Sequence, residues 1–230
     1  MAILKLSKIT QRFVSGDKEI EVLSNINLEI NSGESVAIVG PSGSGKTTML
    51  GLCAGLDQPT SGKIELAGKN IEDLNENQRA ELRRDNVGFV FQNFELIPTL
   101  TAVENVSLPL DLKGGTNTKA IAEALLNKVG LAGRAHHYPS QLSGGEQQRV
   151  AIARAFSNNP SIVFADEPTG NLDEETGQHI EDLLFELNRE KGTTLILVTH
   201  NLELANKAQR IIELKMGKLT RDQIIQKASF

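Results

Sequence analysis

The β-branched, apolar run Val36-Ala37-Ile38-Val39 stops at Gly40, and the loop Pro41-Ser42-Gly43-Ser44-Gly45 follows. Lys46-Thr47-Thr48 then leads into a second apolar segment, Met49-Leu50-Gly51-Leu52. This reads as strand, glycine-rich loop, helix, and it carries the spacing G-x-x-x-x-G-K-[ST] at Gly40, Gly45, Lys46 and Thr47. The pattern has a chemical reason. Free backbone N–H groups at a helix start point outward, and the helix dipole favours an anion there. Glycines let the backbone approach that anion closely. Lys46 adds a point charge suited to the β- and γ-phosphates of a nucleotide, and the Thr47 hydroxyl is a ligand for Mg²⁺. A chance match in an ordinary turn would lack the strand before and the helix after. The stretch points to a bound nucleoside triphosphate and is silent on which one.

The rest of the chain must supply a fold for that loop. At 230 residues it forms one large or two small domains with a substantial core. With a net charge of -5 and no Lys/Arg block, a nucleic-acid partner is not favoured. Cys53, the one cysteine, has no internal disulfide partner and reads as a buried, inert thiol. Met1 to Gln11 shows no signal-peptide core, and no apolar run reaches the length of a membrane span. A cytosolic protein is expected, with any membrane connection made through a partner.

Ala2 to Phe13 and Glu19 to Ile30 alternate apolar and polar residues around a break at Gly16-Asp17, which predicts antiparallel strands. Phe13 is placed either to stack on a base or to pack as an edge aromatic. Lys63–Leu66 and Lys69–Ile71 predict a short hairpin around Gly68. Asn77 to Arg84 predicts a charged helix whose arginines Arg79, Arg83 and Arg84 form a solvated face. Val87 to Phe91 is a continuous apolar run, so a buried strand ending at Gln92. The next residues are apolar for a loop, with Phe94, Leu96, Ile97, Pro98 and Leu100, and either tuck into the core or form a docking patch. Thr101 and Glu104 predict a capping box and a helix from Ala102. Thr118 to Val129 has helical spacing and Gly130 ends it. His136-His137 reads as an exposed pair rather than a metal site.

Ser143 and Glu146 predict a second capping box. Gly144 and Gly145 weaken the helix they begin, which suggests close approach by a second anion. Ser161 to Ala165 predicts a buried strand, and Asp166-Glu167-Pro168 follows it. Carboxylates just past a strand end stand where α/β folds hold ligands, Asp166 for a Mg²⁺ shell and Glu167 to take a proton from water. Asp173 caps a helix that runs to Gly192. Thr194 to Thr199 predicts one more buried strand with His200 at its end. The segment after Gly217 is expected to carry a helix near the chain end.

Together these residues resemble the nucleotide-binding domain of ATP-binding-cassette (ABC) proteins over essentially the whole chain. Gly40 to Thr47 resembles the Walker A loop, Gln92 the Q-loop, and Leu142-Ser143-Gly144-Gly145-Glu146 the signature motif. Ile162 to Asp166 resembles Walker B, Glu167 the catalytic glutamate, Asn171-Leu172-Asp173 the D-loop and His200 the switch histidine. The resemblance implies an α/β fold: a P-loop NTPase (RecA-like) core with an antiparallel β subdomain (1–92 and 158–230) and an inserted α-helical subdomain (93–157). It implies an ATPase that takes ATP and Mg²⁺. Phe13 stands at the place of the family's adenine-stacking aromatic. The nucleotide then falls to Phe13, Gly40, Pro41, Ser42, Gly43, Ser44, Gly45, Lys46, Thr47, Thr48 and Gln92, and the metal to Thr47, Gln92 and Asp166. Glu167 and His200 are the implied catalytic pair. Two copies would pack head to tail, so that Ser143, Gly144, Gly145, Glu146, Gln147 and Asp173 reach the ATP of the other copy.

In ABC transporters the region after the Q-loop meets a membrane subunit, which favours docking over core packing for Phe94, Leu96, Ile97 and Leu100. Phe91 to Leu110 further resembles the bacterial subgroup of lipoprotein-release, macrolide-export and cell-division ATPases. That implies a permease partner, a place on the cytoplasmic face of the inner membrane, and export or extraction of a hydrophobic substrate or lipoprotein. A cell-division-like ATPase that transmits force without transport has the same motifs. An ABC ATPase of DNA repair or translation is disfavoured, because there is one cassette and no coiled-coil insertion between Gln92 and Leu142.

Overall fold

The computed structural model describes residues 1–16 and 18–225. In chain order the strands are β1 (Ala2–Ser15), β2 (Lys18–Asn31), β3 (Ser35–Val39), β4 (Ser61–Leu66), β5 (Lys69–Asn70), β6 (Val87–Phe91), β7 (Ile162–Asp166), β8 (Thr194–Val198), β9 (Arg210–Lys215) and β10 (Lys218–Ile224). The α-helices are α1 (Lys46–Cys53), α2 (Glu76–Asn86), α3 (Ala102–Leu112), α4 (Thr118–Lys128), α5 (Gly144–Ser157), α6 (Glu174–Lys191) and α7 (Leu202–Lys207). They fall into two compact units, one formed by Met1–Arg83 with the chain from Thr194 onward, the other by Arg84–Thr193.

The first unit holds two sets of strands. The alternating pattern of the first two strands produces an antiparallel pair, with Leu4 opposite Ile30, Leu6 opposite Leu28 and Phe13 opposite Ile20. β4 adds to the other edge of β1, giving the order β2-β1-β4-β5. The second set runs β10-β9-β3-β8. Every residue of β3 and β8 is buried, as the unbroken apolar runs require of strands covered on both faces. β9, β3 and β8 are parallel, so β3 delivers the chain to Gly40 from a rigid ladder.

The segment after Gly217 is strand β10, antiparallel to β9, and not a helix. Met216 and Gly217 take φ of 47° and 71°, the paired left-handed residues of a tight hairpin turn. Arg210 then clamps β10 through Nε and Nη2 to the Asp222 carboxylate, both at 2.7 Å. Residues 226–230, where the rest of that expected helix falls, and Asp17 of the predicted break lie outside the described residues. The α2 arginines are also not simply a solvated face. Arg79 and Arg83 both grip Glu76, at 2.5 and 3.1 Å, and Arg83 donates to the Gly55 carbonyl at 2.6 Å. These bonds tie the helix to the chain that follows α1.

The second unit is built on the parallel pair β6 and β7, in register from Val87 opposite Ile162 to Phe91 opposite Asp166. α5 lies against β6 so tightly that a Cβ on Gly88 would stand 2.3 Å from the Ala155 carbonyl oxygen. β6 is not buried throughout as its apolar run suggested. Gly88 and Val90 are covered, whereas Val87, Phe89 and Phe91 line a groove of about 330 Å³ together with Leu108 and Leu112 of α3. Phe89 stacks on Phe91 and on Phe164, with ring centroids 5.3 and 5.9 Å away.

Candidate functional site

In the first unit, Gly45 stands at the N-cap of α1 with φ 99°, and no side chain caps the helix. Its exposed first turn therefore offers backbone N–H groups to an anion. Gly40 has no room for a side chain, since a Cβ there would lie 2.1 Å from the Leu214 carbonyl oxygen. The Lys46 ammonium folds back over the loop and donates to the carbonyls of Gly40 and Pro41 at 2.9 and 3.0 Å. Pro41, Ser42 and Gly43 are exposed at the crest, and Gly43 has φ 74°. Ser44 is buried beneath them with a hydroxyl that has no hydrogen-bond partner. Thr47 is exposed on the first helical turn and Thr48 half-buried beside it. A loop of left-handed glycines, an orphaned buried hydroxyl, an uncapped helix and one ammonium fits a polyphosphate. Thr47 supplies a hydroxyl oxygen of the kind Mg²⁺ prefers.

Phe13 is 45 % exposed and faces its cross-strand neighbour Ile20, which is 50 % exposed. Together they present an apolar surface at the end of the β1–β2 hairpin. His200 is exposed two residues past the end of β8, after the buried Thr199. It is followed at once by Asn201, whose carboxamide oxygen caps α7 through the amides of Glu203 and Leu204.

In the second unit, Gln92 follows β6, while Asp166 ends β7 and Glu167 follows it. The parallel register therefore makes Gln92 and Glu167 the first residues out of two neighbouring strands. Glu167 does not continue the strand alternation, because its φ of 46° turns the chain sharply. A non-glycine residue in that region is a strained position, which surrounding structure must hold. Asp173 accepts the Thr176 amide at 2.9 Å and caps α6. That bond holds its carboxyl below the usual carboxylate range.

α5 begins as expected. Ser143 and Glu146 form a full capping box, and Gln147 donates to the Leu142 carbonyl at 3.1 Å. The Ser143 amide, with Arg134 beyond it, lowers the Glu146 pKa. The glycines have a packing reason as well as the anion reason offered above. A Cβ on Gly145 would lie 2.4 Å from the Thr176 methyl, and one on Gly144 would lie 3.4 Å from Leu172 and 3.6 Å from Phe94.

The apolar loop after Gln92 is pinned from below by Asn105, which is fully buried. Its carboxamide accepts from the Ile97 amide at 2.8 Å and donates to the carbonyls of Ile97, Leu100 and Thr101 at 3.2, 3.0 and 3.1 Å. Arg154 donates to the Phe94 carbonyl at 2.9 Å and to that of Glu95. Held this way, the loop leaves Ile97 exposed and Phe94, Leu96 and Leu100 half-buried. Sequence reasoning missed Asn105, Gln148 and Arg154. The available signal was a polar side chain set among the apolar positions of a helix.

The family model described as ABC transporter matches residues 23–170. The chain is 50% identical over 222 residues to YbbA of Escherichia coli K12, an ABC transporter ATP-binding protein, covering 96% of this chain and 97% of YbbA. It is 48% identical over 224 residues to the macrolide export ATP-binding/permease protein MacB of Vibrio parahaemolyticus, covering 96% of this chain and 34% of MacB. The dimeric, post-hydrolysis structure of the ATP-binding cassette MJ0796 bound to ADP and Pi superposes with a TM-score of 0.90 at 46% identity, covering 97% of this chain and 99% of that one. MJ0796 is a protein of Methanocaldococcus jannaschii.

Proposed function

The chain belongs to the ABC transporter family of ATP-binding proteins and is an ATPase, and from that premise we propose that it works as an ATP-sandwiched pair of copies driving an integral membrane permease. The observation that carries the proposal is that α1 starts uncapped after Gly45, while a second glycine-led helix start, that of α5 after Ser143, which we read as a phosphate contact, belongs to a separate compact unit. One ATP needs one Walker A loop, and a second phosphate-binding helix start is accounted for if each copy completes the site of the other. The dimeric cassette of MJ0796 supports this reading.

In this reading Phe13 stacks on the adenine, and Gly40 to Thr48 with Lys46 cradle the phosphates. Bound Mg²⁺ neutralises phosphate charge, and Thr47, Gln92 and Asp166 are the oxygen donors that would hold it. Glu167 takes a proton from the attacking water, and His200 donates to the γ-phosphate. From the second copy, Ser143, Gly144, Gly145, Glu146 and Gln147 receive the γ-phosphate, with Asp173 beside them. No nucleic acid takes part.

Residues 93–157 form the helical subdomain in this scheme and carry the permease contact. Phe94, Leu96, Ile97 and Leu100, with the groove beneath Glu95, are its docking surface. Among the described residues no helix is long and apolar enough to cross a membrane. In this reading the permease makes the membrane contact, with this chain on its cytoplasmic face. The macrolide export ATP-binding/permease protein MacB joins both functions in one chain, which supports a permease partner and the reading that this chain drives export or extraction of a hydrophobic substrate or lipoprotein.

The test is Glu167→Gln. Light scattering with ATP should show a stable dimer that does not hydrolyse its nucleotide. A monomer with ATP bound would remove Ser143 from the partner's site, and turnover at the wild-type rate would remove Glu167 as the base. Docking is tested by Asp at Phe94 or Leu96, which should abolish co-purification with the membrane subunit.

A further inference from the structure

Gln92 and Glu167 leave two neighbouring strands where the backbone ladder ends, at Phe91 opposite Asp166. Nothing in that ladder fixes them relative to each other. Two carboxamides bridge the segments that carry them. Asn171 accepts from Gln92 Nε2 at 3.0 Å, and its Nδ2 donates to the Gln92 carbonyl at 3.1 Å and to Asn93 Oδ1 at 2.8 Å. Gln148, fully buried on α5, donates through Nε2 to the Phe91 carbonyl at 3.3 Å and to the Pro168 carbonyl.

The chemistry sets the orientation of each group. The Gln92 main-chain carbonyl is an acceptor only, so the Asn171 nitrogen must face it. The Asn171 oxygen then faces the Gln92 side chain and must receive a proton from Nε2. That leaves the Gln92 side-chain oxygen as the branch turned away from Asn171 and offered outward.

We propose that Asn171 is a positioning residue for Gln92, fixing the carboxamide so that its oxygen, not its nitrogen, is presented, and tying the Gln92 loop to the segment after Glu167. The proposal rests on the reading of Gln92 as part of the ATP site. Gly170 makes it independently testable. A Cβ there would lie 2.8 Å from Gln92 Nε2, at the flexible end of that side chain rather than at a backbone atom. Gly170→Ala therefore displaces the Gln92 carboxamide while leaving Asn171 itself unchanged.

The experiment uses the full chain with Asn171→Ala, Asn171→Asp, Gly170→Ala, Gln92→Ala and the Gln92/Asn171 double variant. Steady-state ATP turnover at varied Mg²⁺ is measured beside amide hydrogen exchange of the 92–97 backbone. Asn171→Ala should lower kcat by about tenfold, the scale of losing one neutral hydrogen bond that positions Gln92. Asn171→Asp should not rescue it, because a carboxylate cannot donate to the Gln92 carbonyl. Gly170→Ala should match Asn171→Ala in turnover with an unchanged melting temperature, which guards against a variant that merely folds poorly. The double variant should be no slower than Gln92→Ala alone, and exchange over 92–97 should rise in the Asn171 variants.

Losses that multiply in the double variant would overturn the proposal, as would unchanged exchange in Asn171→Ala. If Gln92→Ala alone keeps wild-type turnover, the reading of Gln92 as an ATP-site residue fails. The exchange measurement then decides the clamp by itself, faster exchange upholding it and unchanged exchange overturning it.

Discussion

Ser143 and Glu146 hold each other across the first turn of α5. The Ser143 hydroxyl accepts the Glu146 amide at 3.2 Å, and the Glu146 carboxylate accepts the Ser143 amide at 2.8 Å. The hydroxyl proton is left to donate elsewhere, so one serine can serve both as a cap and as a phosphate contact. Substitutions can separate these roles. Ser143→Ala should cost about 1 kcal/mol of stability and most of the ATPase activity. Ser143→Asp should keep the cap and the stability, yet lose the activity as fully, because a carboxylate repels the γ-phosphate. Urea melts and steady-state turnover on the two variants check this.

Two glycines of the phosphate loop should respond differently to a methyl group. Both have left-handed backbones, but a Cβ on Gly45 would lie 2.9 Å from a Leu23 methyl and 3.0 Å from the Val22 carbonyl oxygen, whereas one on Gly43 meets nothing within 4 Å. Gly43→Ala should therefore carry only the backbone cost, about 1 kcal/mol, and Gly45→Ala that cost plus about 1–3 kcal/mol of overpacking. Chemical denaturation with and without ATP measures both terms. The ATP-dependent part of the stability should be lost in Gly45→Ala.

Acid should loosen the helix starts. Glu104, Glu146 and Asp173 all have pKa values lowered in the fold, by the Thr101 side chain, by the Ser143 amide and by the Thr176 amide respectively. A depressed carboxylate stabilises the fold above its unfolded pKa, and that contribution is lost as pH falls through the folded value. Stability should thus be flat near neutrality and decline from the ordinary carboxylate range downward. Asp173→Asn retains a capping oxygen but does not titrate, so its melting temperature should fall less steeply in that window. Thermal melts from neutral to acid pH show the difference.

Cys53 is fully buried on α1, and burial pushes its thiol up to about 12. A neutral, covered thiol is a poor nucleophile. The native protein should resist a thiol-reactive reagent at pH 8 and react fully once unfolded in urea. Rapid labelling of the native state would show that the helix after the phosphate loop opens.

Much of the architecture was legible residue by residue. The caps at Thr101, Ser143 and Asp173 form as their spacing indicates, because a cap is made between residues three apart. The buried strands β3, β7 and β8 follow from unbroken apolar runs, and the β1–β2 pair from alternation. β10 was not legible. Its residues are mostly exposed and polar, and what makes them a strand is the turn at Met216-Gly217 and the pairing of Asp222 with Arg210. The fastening of the loop after Gln92 was hidden for a similar reason. Asn105 reads as one more polar residue in a helix until three carbonyls and an amide are seen around it.

Short-range chemistry thus decided the phosphate loop, the helix starts and the family to which they belong, since each is written within a few consecutive residues. Long-range folding decided which strand exits stand side by side, that Gly145 is crowded by Thr176, and that Asn171 takes hold of Gln92. The partners in that last pair are 79 positions apart. A hydrogen bond depends on distance and angle, and the order of residues along the chain determines neither until the ladder between β6 and β7 has closed.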